Sequence, residues 1–178
     1  MNQIIRCVSP VDGAVYAERP ALSPEEARAA VERARAAQGP WAATPLEERV
    51  RLVLAGVERL NGLQGRAVEE LAWQMGRPVR YGGEFGGVNE RAGFMAGIAA
   101  EALAPTVVEA SERFERRIER APAGVAFVIA PWNYPYLTAC NTVVPSLIAG
   151  NAVLHKAAAQ TLLVGERWAE AFDGVLPR

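Results

Sequence analysis

An uncharged segment, residues 121–155, places the tightest limit on what this chain can fold into. It contains no acidic side chain, lysine or arginine, and its one histidine is its last residue, His155. Prolines and asparagines such as Pro131, Asn133 and Pro135 interrupt its apolar runs. A membrane-spanning helix needs roughly 20 continuous apolar residues, and these interruptions leave only lengths typical of buried strands and a core helix. We therefore expect this segment to form the interior of a globular fold, and we predict no membrane partner.

Composition narrows the choice of partners and compartment. The 178 residues carry 19 basic and 20 acidic side chains, for a net charge of −1, which indicates no basic surface for nucleic acid. Two cysteines, Cys7 and Cys140, are too few for a disulfide framework, and the N-terminus lacks the apolar core of a signal peptide. The sequence therefore predicts a cytoplasmic protein without a nucleic-acid partner. No metal is predicted, because no spacing typical of metal ligands occurs.

Residues 1–121 show the pattern of a helical layer. Ser23 and Glu26 form a capping box around Pro24, and Gly39-Pro40 predicts the end of that first helix. Thr44-Pro45 predicts a second capped helix, whose apolar residues recur at spacings of four and three and so face a core; they are Leu46, Val50, Val53, Val57 and Leu60. Two further helices are expected from about Gln64 to Met75 and from Gly82 to Leu103. Phe114 to Arg120 is predicted to be an exposed strand.

Residues 122–178 show a strand–helix–strand–helix order. Val125 to Ala130 is a continuous apolar run, typical of a strand buried on both faces, and Ala152 to Lys156 is expected to be a second such strand. Helices are predicted from Pro135 to Ile148 and from Gln160 to Phe172. This order predicts parallel strands joined by a right-handed crossover. The fold class is therefore α/β, with a helical region at 1–121 and a βαβα unit at 122–178.

Asn133 is the first candidate site residue. It stands between Pro131 and Pro135, after a predicted strand, and α/β proteins place their sites at the carboxyl ends of strands. Its side-chain amide can donate a hydrogen bond to a developing oxyanion. The alternative is that Asn133 merely caps the helix beginning at Pro135.

Lys156 is the second candidate. It is the only lysine, since 18 of the 19 basic residues are arginines, and it ends the second predicted strand. A lone lysine there favours a place where a compact ammonium fits and a guanidinium does not, such as the edge of a nucleotide site. The alternative is an ordinary surface lysine.

Other residues carry weaker signals. His155 is the only histidine, so it has no second metal ligand or triad partner of its kind, and we interpret it as structural. Cys140 falls in mid-helix without a cationic neighbour and is predicted to be a buried core thiol. The glycine-rich stretch from Gly82 to Gly87 follows no predicted strand and matches no phosphate loop, which indicates a loop or close helix packing.

Taken together, these motifs resemble the aldehyde dehydrogenase superfamily. The resemblance rests on the run Val128-Ile129-Ala130-Pro131-Trp132-Asn133-Tyr134-Pro135, the run from Pro145 to Val153, Lys156, and Gln160-Thr161. The spacing from Asn133 to Lys156 also matches, as do the Gly76-Arg77-Pro78 turn and the 114–120 strand. The resemblance covers essentially the whole chain and is most specific over residues 125–161. It implies that residues 122–178 are the start of a Rossmann-like NAD(P)-binding domain.

The resemblance implies an NAD(P)-dependent oxidation of an aldehyde to a carboxylic acid. In the family a cysteine thiolate attacks the aldehyde, hydride passes to the nicotinamide, and a glutamate activates the water that hydrolyses the thioester. By resemblance, Asn133 is the oxyanion donor and Lys156 binds the adenosine ribose. Four residues would line the cofactor cleft: Ile129, Ala130, Pro131 and Trp132. Residues 114–120 would belong to the arm that pairs subunits, so a homo-oligomer is expected for the full-length protein.

Two departures from the family pattern affect these expectations. Ala159 stands where many NAD-preferring members carry a glutamate, and without that carboxylate we expect weak discrimination between NAD and NADP. The nucleophilic cysteine and the glutamate base lie farther along the family's chain than Arg178. We therefore expect no turnover from residues 1–178 alone, and poor stability, because a two-stranded parallel sheet cannot cover both its faces. The alternative is a non-catalytic truncated product, or an assembly module that pairs with a full-length subunit through residues 114–120.

Overall fold

A computed structural model describes residues 3–176 of the chain. The strands, in chain order, are β1 (Ile4–Val8), β2 (Val15–Pro20), β3 (Thr106–Ala110), β4 (Glu115–Ile118), β5 (Val125–Ile129) and β6 (Ala152–Lys156). The α-helices are α1 (Pro24–Ala43), α2 (Leu46–Gly62), α3 (Gln64–Met75), α4 (Phe85–Ala102), α5 (Pro135–Ile148) and α6 (Leu163–Phe172). The strands form three two-stranded sheets, of which β1–β2 and β3–β4 are antiparallel and β5–β6 is parallel. The predicted α/β class is confirmed.

The chain opens with the β1–β2 hairpin. β1 was not predicted from the sequence, because its alternation is short and broken by Arg6. Cys7 anchors β1, since its side chain is fully buried and its Sγ lies 3.0 Å from the carbonyl oxygen of Gln160. Arg19 on β2 pairs with Glu166 on α6 at 2.7 Å. The hairpin therefore packs against the C-terminal part of the fold.

The expected end of the first helix is wrong. The capping box of Ser23 and Glu26 is present, but α1 continues through Pro40 to Ala43. A proline inside a helix removes one backbone hydrogen bond, and here tertiary contacts compensate for it. Trp41 is buried at 4 % exposure and its Nε1 donates to the carbonyl of Leu147 at 2.9 Å. Packing of this last turn against α5 therefore overrides the local stop signal.

The expected cap of the second helix is also wrong. Pro45 occupies the N-cap position of α2 and no side chain caps it, while Thr44 is instead the C-cap residue of α1. The hydroxyl of Thr44 donates back to the carbonyl of Pro40 at 3.3 Å. Because the connection between α1 and α2 is short, Thr44 caps the end of α1 and not the start of α2. The apolar stripe of α2 behaves as expected, since Val53, Val57 and Leu60 are buried.

The third and fourth helices follow their predicted boundaries closely. α3 runs from Gln64 to Met75 and ends at Gly76, whose φ of 76° is the left-handed conformation that glycine favours. α4 begins at Phe85, slightly later than expected, and buries Phe85, Val88, Ala92 and Ala99 on one face. These helices form one side of the hydrophobic core.

The expected strand near residues 114–120 is present as β4, and it pairs with β3, which the sequence pattern did not reveal. All residues of both strands are exposed. Large apolar side chains stand open to solvent on this hairpin, Val107 at 53 %, Val108 at 64 % and Ile118 at 53 % exposure. An isolated two-stranded hairpin is marginal in water, and no residue of these two strands belongs to the hydrophobic core of the described part of the chain.

The parallel unit matches its prediction in order, but β5 ends at Ile129, and α6 begins at Leu163 rather than Gln160, after a short 3-10 turn at Ala159–Thr161. Its burial also differs. β5 and β6 pair in parallel, with Ile129 opposite Lys156. Val128 is 5 % exposed, whereas Phe127 and Ile129 are 62 % and 65 % exposed. The expectation that β5 is buried on both faces is therefore wrong for the part of the chain described. Only the Val128 face packs into the core, because α1 covers the other face incompletely.

A single core joins the helical region to the parallel unit. Buried side chains of α1 to α4 such as Leu60, Leu71 and Phe85 belong to the same cluster as Tyr136, Val144 and Trp168. Within residues 3–176, none of the helices combines the length and the apolar character that crossing a bilayer requires. The division of the chain at residue 121 stays a prediction.

Candidate active site

The site predicted from the sequence lies where β5 ends. The backbone N–H of Ala130 donates to the carbonyl of Lys156 at 3.0 Å, which is the last rung between β5 and β6. Pro131 has no N–H and so ends the pairing. Residues 131–134 then form a loop at the carboxyl end of both strands, and α5 begins at Pro135. In α/β sheets this end carries the ligand sites.

Asn133 is exposed on this loop. Its side-chain amide makes no hydrogen bond with residues 3–176, whereas its backbone carbonyl accepts one from Arg77. Tyr134, not Asn133, occupies the N-cap position of α5, and no side chain of the loop caps the helix. The interpretation of Asn133 as a cap is therefore not supported. An exposed amide on an anchored backbone is suited to donate to an anionic oxygen of a ligand.

A carboxylate from another element caps α5 instead. Glu84 Oε2 accepts from the backbone N–H groups of Tyr136 and Leu137, each at 2.9 Å. Its other oxygen pairs with Arg77, and the two side chains are only 2 % and 9 % exposed. The guanidinium of Arg77 also lies 4.9 Å from the ring centre of Tyr134. A buried ion pair thus contacts the loop at Asn133 and Tyr134 and also the first turn of α5.

The residues expected to line a cofactor cleft differ in accessibility. Ile129 and Trp132 are 65 % and 53 % exposed, Pro131 is half-buried, and Ala130 is buried at 5 %. Trp132 lines a depression of about 410 Å³ together with Val8, Pro10, Met75 and Gln160. A ligand along the loop can therefore reach Ile129 and Trp132 through their side chains, but could contact Ala130 only through its backbone. Their role in cofactor binding stays a prediction.

Lys156 is exposed at the end of β6, directly opposite Ile129 in the register. Its Nζ lies 3.3 Å from the carbonyl of Ala157 and makes no ion pair with the described residues. It lines a cavity of about 1040 Å³ between α1 and the open face of the parallel sheet, together with Ala27, Val31, Val125, Phe127 and Leu154. The structure thus places Lys156 and Trp132 at one end of the sheet but on two different concavities.

Neither cysteine is fit to act as a nucleophile. Cys140 is fully buried, its thiol donates to the carbonyl of Val88 at 3.6 Å, and burial raises its pKa to about 12. The expectation of a buried core thiol is confirmed. Burial also raises the pKa of the Cys7 thiol. Since thiolates rather than thiols attack carbonyl groups, burial and a raised pKa both disfavour these side chains as nucleophiles.

His155 lies inside the fold, as expected of a structural histidine. Its ring packs edge-on against Trp168 with the ring centres 6.4 Å apart. Both ring nitrogens are buried and lack a hydrogen-bond partner among the described residues, and burial lowers the pKa of the imidazole. Residues 3–176 also bring together no group of three or more His, Cys, Asp or Glu side chains that could hold a metal ion.

Arg77 and Glu84 are the site residues that the sequence reasoning missed. Gly76-Arg77-Pro78 was noticed only as a turn, and Glu84 only as part of a glycine-rich stretch. One signal could have found them. If Asn133 does not cap the predicted helix at 135–148, no other Ser, Thr, Asp or Asn stands at its start, and its first N–H groups need an acceptor from elsewhere. Glu84, the one carboxylate within the stretch from Gly82 to Gly87, is a candidate for that acceptor.

Comparison with known proteins assigns the chain to a family. The model of the aldehyde dehydrogenase family matches residues 1–178. The chain is 33 % identical over 173 residues to the NAD⁺-dependent benzaldehyde dehydrogenase of Pseudomonas putida, covering 91 % of this chain and 34 % of that protein. The chain therefore belongs to the aldehyde dehydrogenase family, and it spans about a third of the length of this relative.

Solved structures agree with this assignment. An NAD-dependent benzaldehyde dehydrogenase from Corynebacterium glutamicum superposes with a TM-score of 0.89 at 30 % identity, over 98 % of this chain and 39 % of that one. An NADP-dependent glyceraldehyde-3-phosphate dehydrogenase from Bacillus halodurans, solved with NADP, gives a TM-score of 0.87 at 29 % identity, over 97 % and 38 % of the two chains. The predicted fold, the N-terminal part of an aldehyde dehydrogenase with an incomplete Rossmann-like unit, is confirmed.

Proposed function

We propose that residues 1–178 supply the oxyanion-stabilising loop and one wall of the cofactor cleft of an NAD(P)-dependent aldehyde dehydrogenase, which oxidises an aldehyde to a carboxylic acid. The observation that carries the proposal is Asn133. Its amide is exposed at the carboxyl end of β5 and has no hydrogen-bond partner among residues 3–176, while its backbone carbonyl accepts from Arg77. A donor fixed in place before the reaction stabilises charge that develops on a substrate oxygen.

The residues at the sheet end fit a nicotinamide dinucleotide. Lys156 presents an ammonium with no carboxylate partner among residues 3–176, and such a group can donate to ribose hydroxyls. Ile129 and Trp132 offer exposed apolar surface beside it, as expected for a cleft that receives flat rings. When bound, the dinucleotide supplies the acceptor for the hydride. The role of this chain is to bind it, orient it and hold Asn133 near the reacting carbonyl.

Cofactor choice and substrate class follow from weaker features. Ala159 is exposed three residues after Lys156 and offers no carboxylate to repel a 2′-phosphate, so we propose that both NAD and NADP are accepted. Two of the similar proteins are named for benzaldehyde, which makes an aromatic aldehyde the first substrate to test. The cytoplasm stays the predicted location.

The test is an activity assay with a matched pair of variants. The complete product of the reading frame that encodes residues 1–178 is purified, and NAD(P)H formation is followed with benzaldehyde, acetaldehyde and glyceraldehyde 3-phosphate. Asn133→Ala is expected to lower kcat by about 100–1000-fold, the usual effect of losing one oxyanion donor. Asn141→Ala removes an exposed asparagine from α5 and is expected to keep wild-type activity. Equal activity of Asn133→Ala and wild type would refute the proposed role.

We further infer that residues 1–178 by themselves do not turn over an aldehyde. The support is chemical, because both thiols of the chain are buried and their pKa values are raised by burial. A purified protein ending at Arg178 is expected to produce no NAD(P)H above the rate of a heat-treated sample. Turnover by that protein, abolished by Cys140→Ser or Cys7→Ser, would overturn the inference.

The second candidate function is a non-catalytic assembly module. The observation that favours it is the exposed β3–β4 hairpin, with Val108 at 64 % and Phe114 at 44 % exposure. In this role residues 114–120 would pair with the same strand of another subunit. Sedimentation of the complete product separates the two functions. A homo-oligomer with dehydrogenase activity supports the enzyme, whereas an inactive chain that assembles only with a full-length dehydrogenase supports the module.

A further inference from the structure

Arg77 and Glu84 form a buried clamp on the loop that carries Asn133. We propose that these two side chains are positioning residues, which set the place of the Asn133 amide and thereby the rate of the chemical step. The inference rests on the proposed function of Asn133 as an oxyanion donor. Neither side chain is itself a catalytic residue, because each acts through the backbone of residues 133–137.

The first argument is the set of contacts. The guanidinium of Arg77 uses one nitrogen for Glu84 and another for the carbonyl of Asn133, and its plane lies over the ring of Tyr134 at 4.9 Å. The carboxylate of Glu84 uses its second oxygen for the N–H groups of Tyr136 and Leu137, both at 2.9 Å. The clamp therefore holds the backbone on both sides of Tyr134. A rotation of the loop would break a contact at one end or the other.

The second argument is energetic. Both side chains are withdrawn from water, at 9 % and 2 % exposure, and burial of charges is costly even when they are paired. An apolar pair of similar volume is often at least as stabilising as a buried ion pair. Stability alone is therefore a poor explanation for a charged pair here. Geometric definition of the loop, by directional hydrogen bonds to its backbone, explains it better.

The third argument is the glycine-rich stretch 82–87, which spans the start of α4. A Cβ on Gly82 would lie 2.4 Å from Cγ1 of Val68 on α3, and one on Gly87 would lie 3.2 Å from Cδ1 of Leu137 on α5. Gly82 lets the connection between α3 and α4 lie directly on α3, and Gly87 lets the first turn of α4 lie directly on α5. The close approach brings the Glu84 carboxylate to the start of α5, where the N-terminal dipole favours a negative charge. The glycine-rich stretch thus serves the clamp and needs no nucleotide-binding role.

The structural arm of the test uses the complete product of the reading frame that encodes residues 1–178. Backbone amide exchange of the segment that contains Tyr136 and Leu137 is measured by mass spectrometry in the wild type, in Arg77→Lys, in Glu84→Gln and in the control Arg80→Lys. Arg80 lies on the same connection but is exposed, and its guanidinium lies 4.7 Å from the ring centre of Tyr81. Exchange of the two amides is expected to accelerate by about tenfold or more in the clamp variants and to stay unchanged in the control. Glu84→Gln keeps the size of the side chain but loses the charge that pairs with Arg77 and with the start of α5, so it remains informative if Arg77→Lys does not fold.

The kinetic arm uses the complete product of the reading frame. Arg77→Lys is expected to lower kcat by about 10–100-fold, the effect of a misplacement of about 1 Å, with little change in KM for the aldehyde. In the Asn133→Ala background the same substitution is expected to change kcat less than about twofold, because the group it positions is absent. A general structural defect would lower kcat by the same factor in both backgrounds.

The outcomes separate this inference from the proposed function. Unchanged amide exchange in both clamp variants overturns the clamp, and so does an equal kinetic effect in both backgrounds. If the wild-type product oxidises no aldehyde, the proposed function fails. The exchange measurement then still decides whether Arg77 and Glu84 hold the loop.

Discussion

His155 gives the chain a pH-dependent stability that one substitution should remove. The imidazole is half-buried on β6, its two nitrogens are buried without a partner among the described residues, and burial lowers its pKa below the ordinary value of 6.5. In the unfolded chain the ring takes up a proton near pH 6.5, while in the folded chain it stays neutral to lower pH. Protons are then bound by the unfolded state only, so stability falls as the pH drops below 6.5 and is fully present above it.

The magnitude follows from the count of histidines. His155 is the only one, so histidine titration contributes at most one proton to the difference between the two states, a slope of at most about 1.4 kcal/mol per pH unit. One unit below the unfolded pKa, the loss that His155 causes in the free energy of unfolding reaches at most about 1.4 kcal/mol. A difference of this size is measurable by urea denaturation.

The assay compares wild type with His155→Phe at pH 5.5 and pH 7.5. Phenylalanine keeps an aromatic ring against Trp168 and removes the titrating group, and carboxylates common to both proteins cancel in the comparison. As the pH falls from 7.5 to 5.5, the free energy of unfolding of the wild type is expected to decrease more than that of the variant. An identical pH dependence of the two proteins, or an NMR titration that places the His155 pKa at or above 6.5 in the folded chain, would refute the reasoning.

Two further predictions test packing and cofactor choice. Gly82→Ala is expected to destabilise the chain by about 1–3 kcal/mol in thermal or urea unfolding, because the added Cβ would lie 2.4 Å from Val68. Gly83→Ala is the matched control, since a Cβ there would meet nothing within 4 Å. Equal stability of the two variants would contradict the packing argument. Ala159→Glu is expected to raise the ratio of kcat/KM for NAD over NADP in the complete product by about tenfold or more, since a carboxylate near Lys156 repels a 2′-phosphate, and an unchanged ratio would place Ala159 away from the ribose.

The helical and parallel elements were predictable because their signals are local. α3 and α5 run over the expected residues, since Gly76 ends one and Pro135 begins the other. The β5–β6 pairing follows from the strand–helix–strand order. In these cases capping, turn chemistry and apolar periodicity all favour the structure that forms.

The errors fall where distant contacts decide. Pro40 indicated a helix end, yet the hydrogen bond from Trp41 to Leu147 holds another turn of α1 in place. Strand β1 was missed because its stability comes from the buried Cys7 and from pairing with β2. Sequence periodicity within a short window carries no information about such partners.

The candidate site was predictable in part for the same reason. Asn133 and Lys156 could be identified from the sequence, because they stand at the ends of the predicted strands β5 and β6. The side chains that hold the loop could not, because Glu84 lies 52 residues from Tyr136 along the chain. A sequence motif therefore located the loop, and only the three-dimensional arrangement revealed what fixes it.

Helix α5 depends on the helical region at both of its ends. Glu84 accepts from its first N–H groups. At the other end, Trp41 donates to the carbonyl of Leu147 at 2.9 Å, Arg49 to that of Ile148 at 2.8 Å, and Gln38 to that of Gly150 at 3.1 Å. These partners lie about 50 to 110 residues away along the chain, and contacts of such long range form slowly. Helix α5 is therefore expected to reach its native packing late in folding, after helices α1 to α4 have packed together.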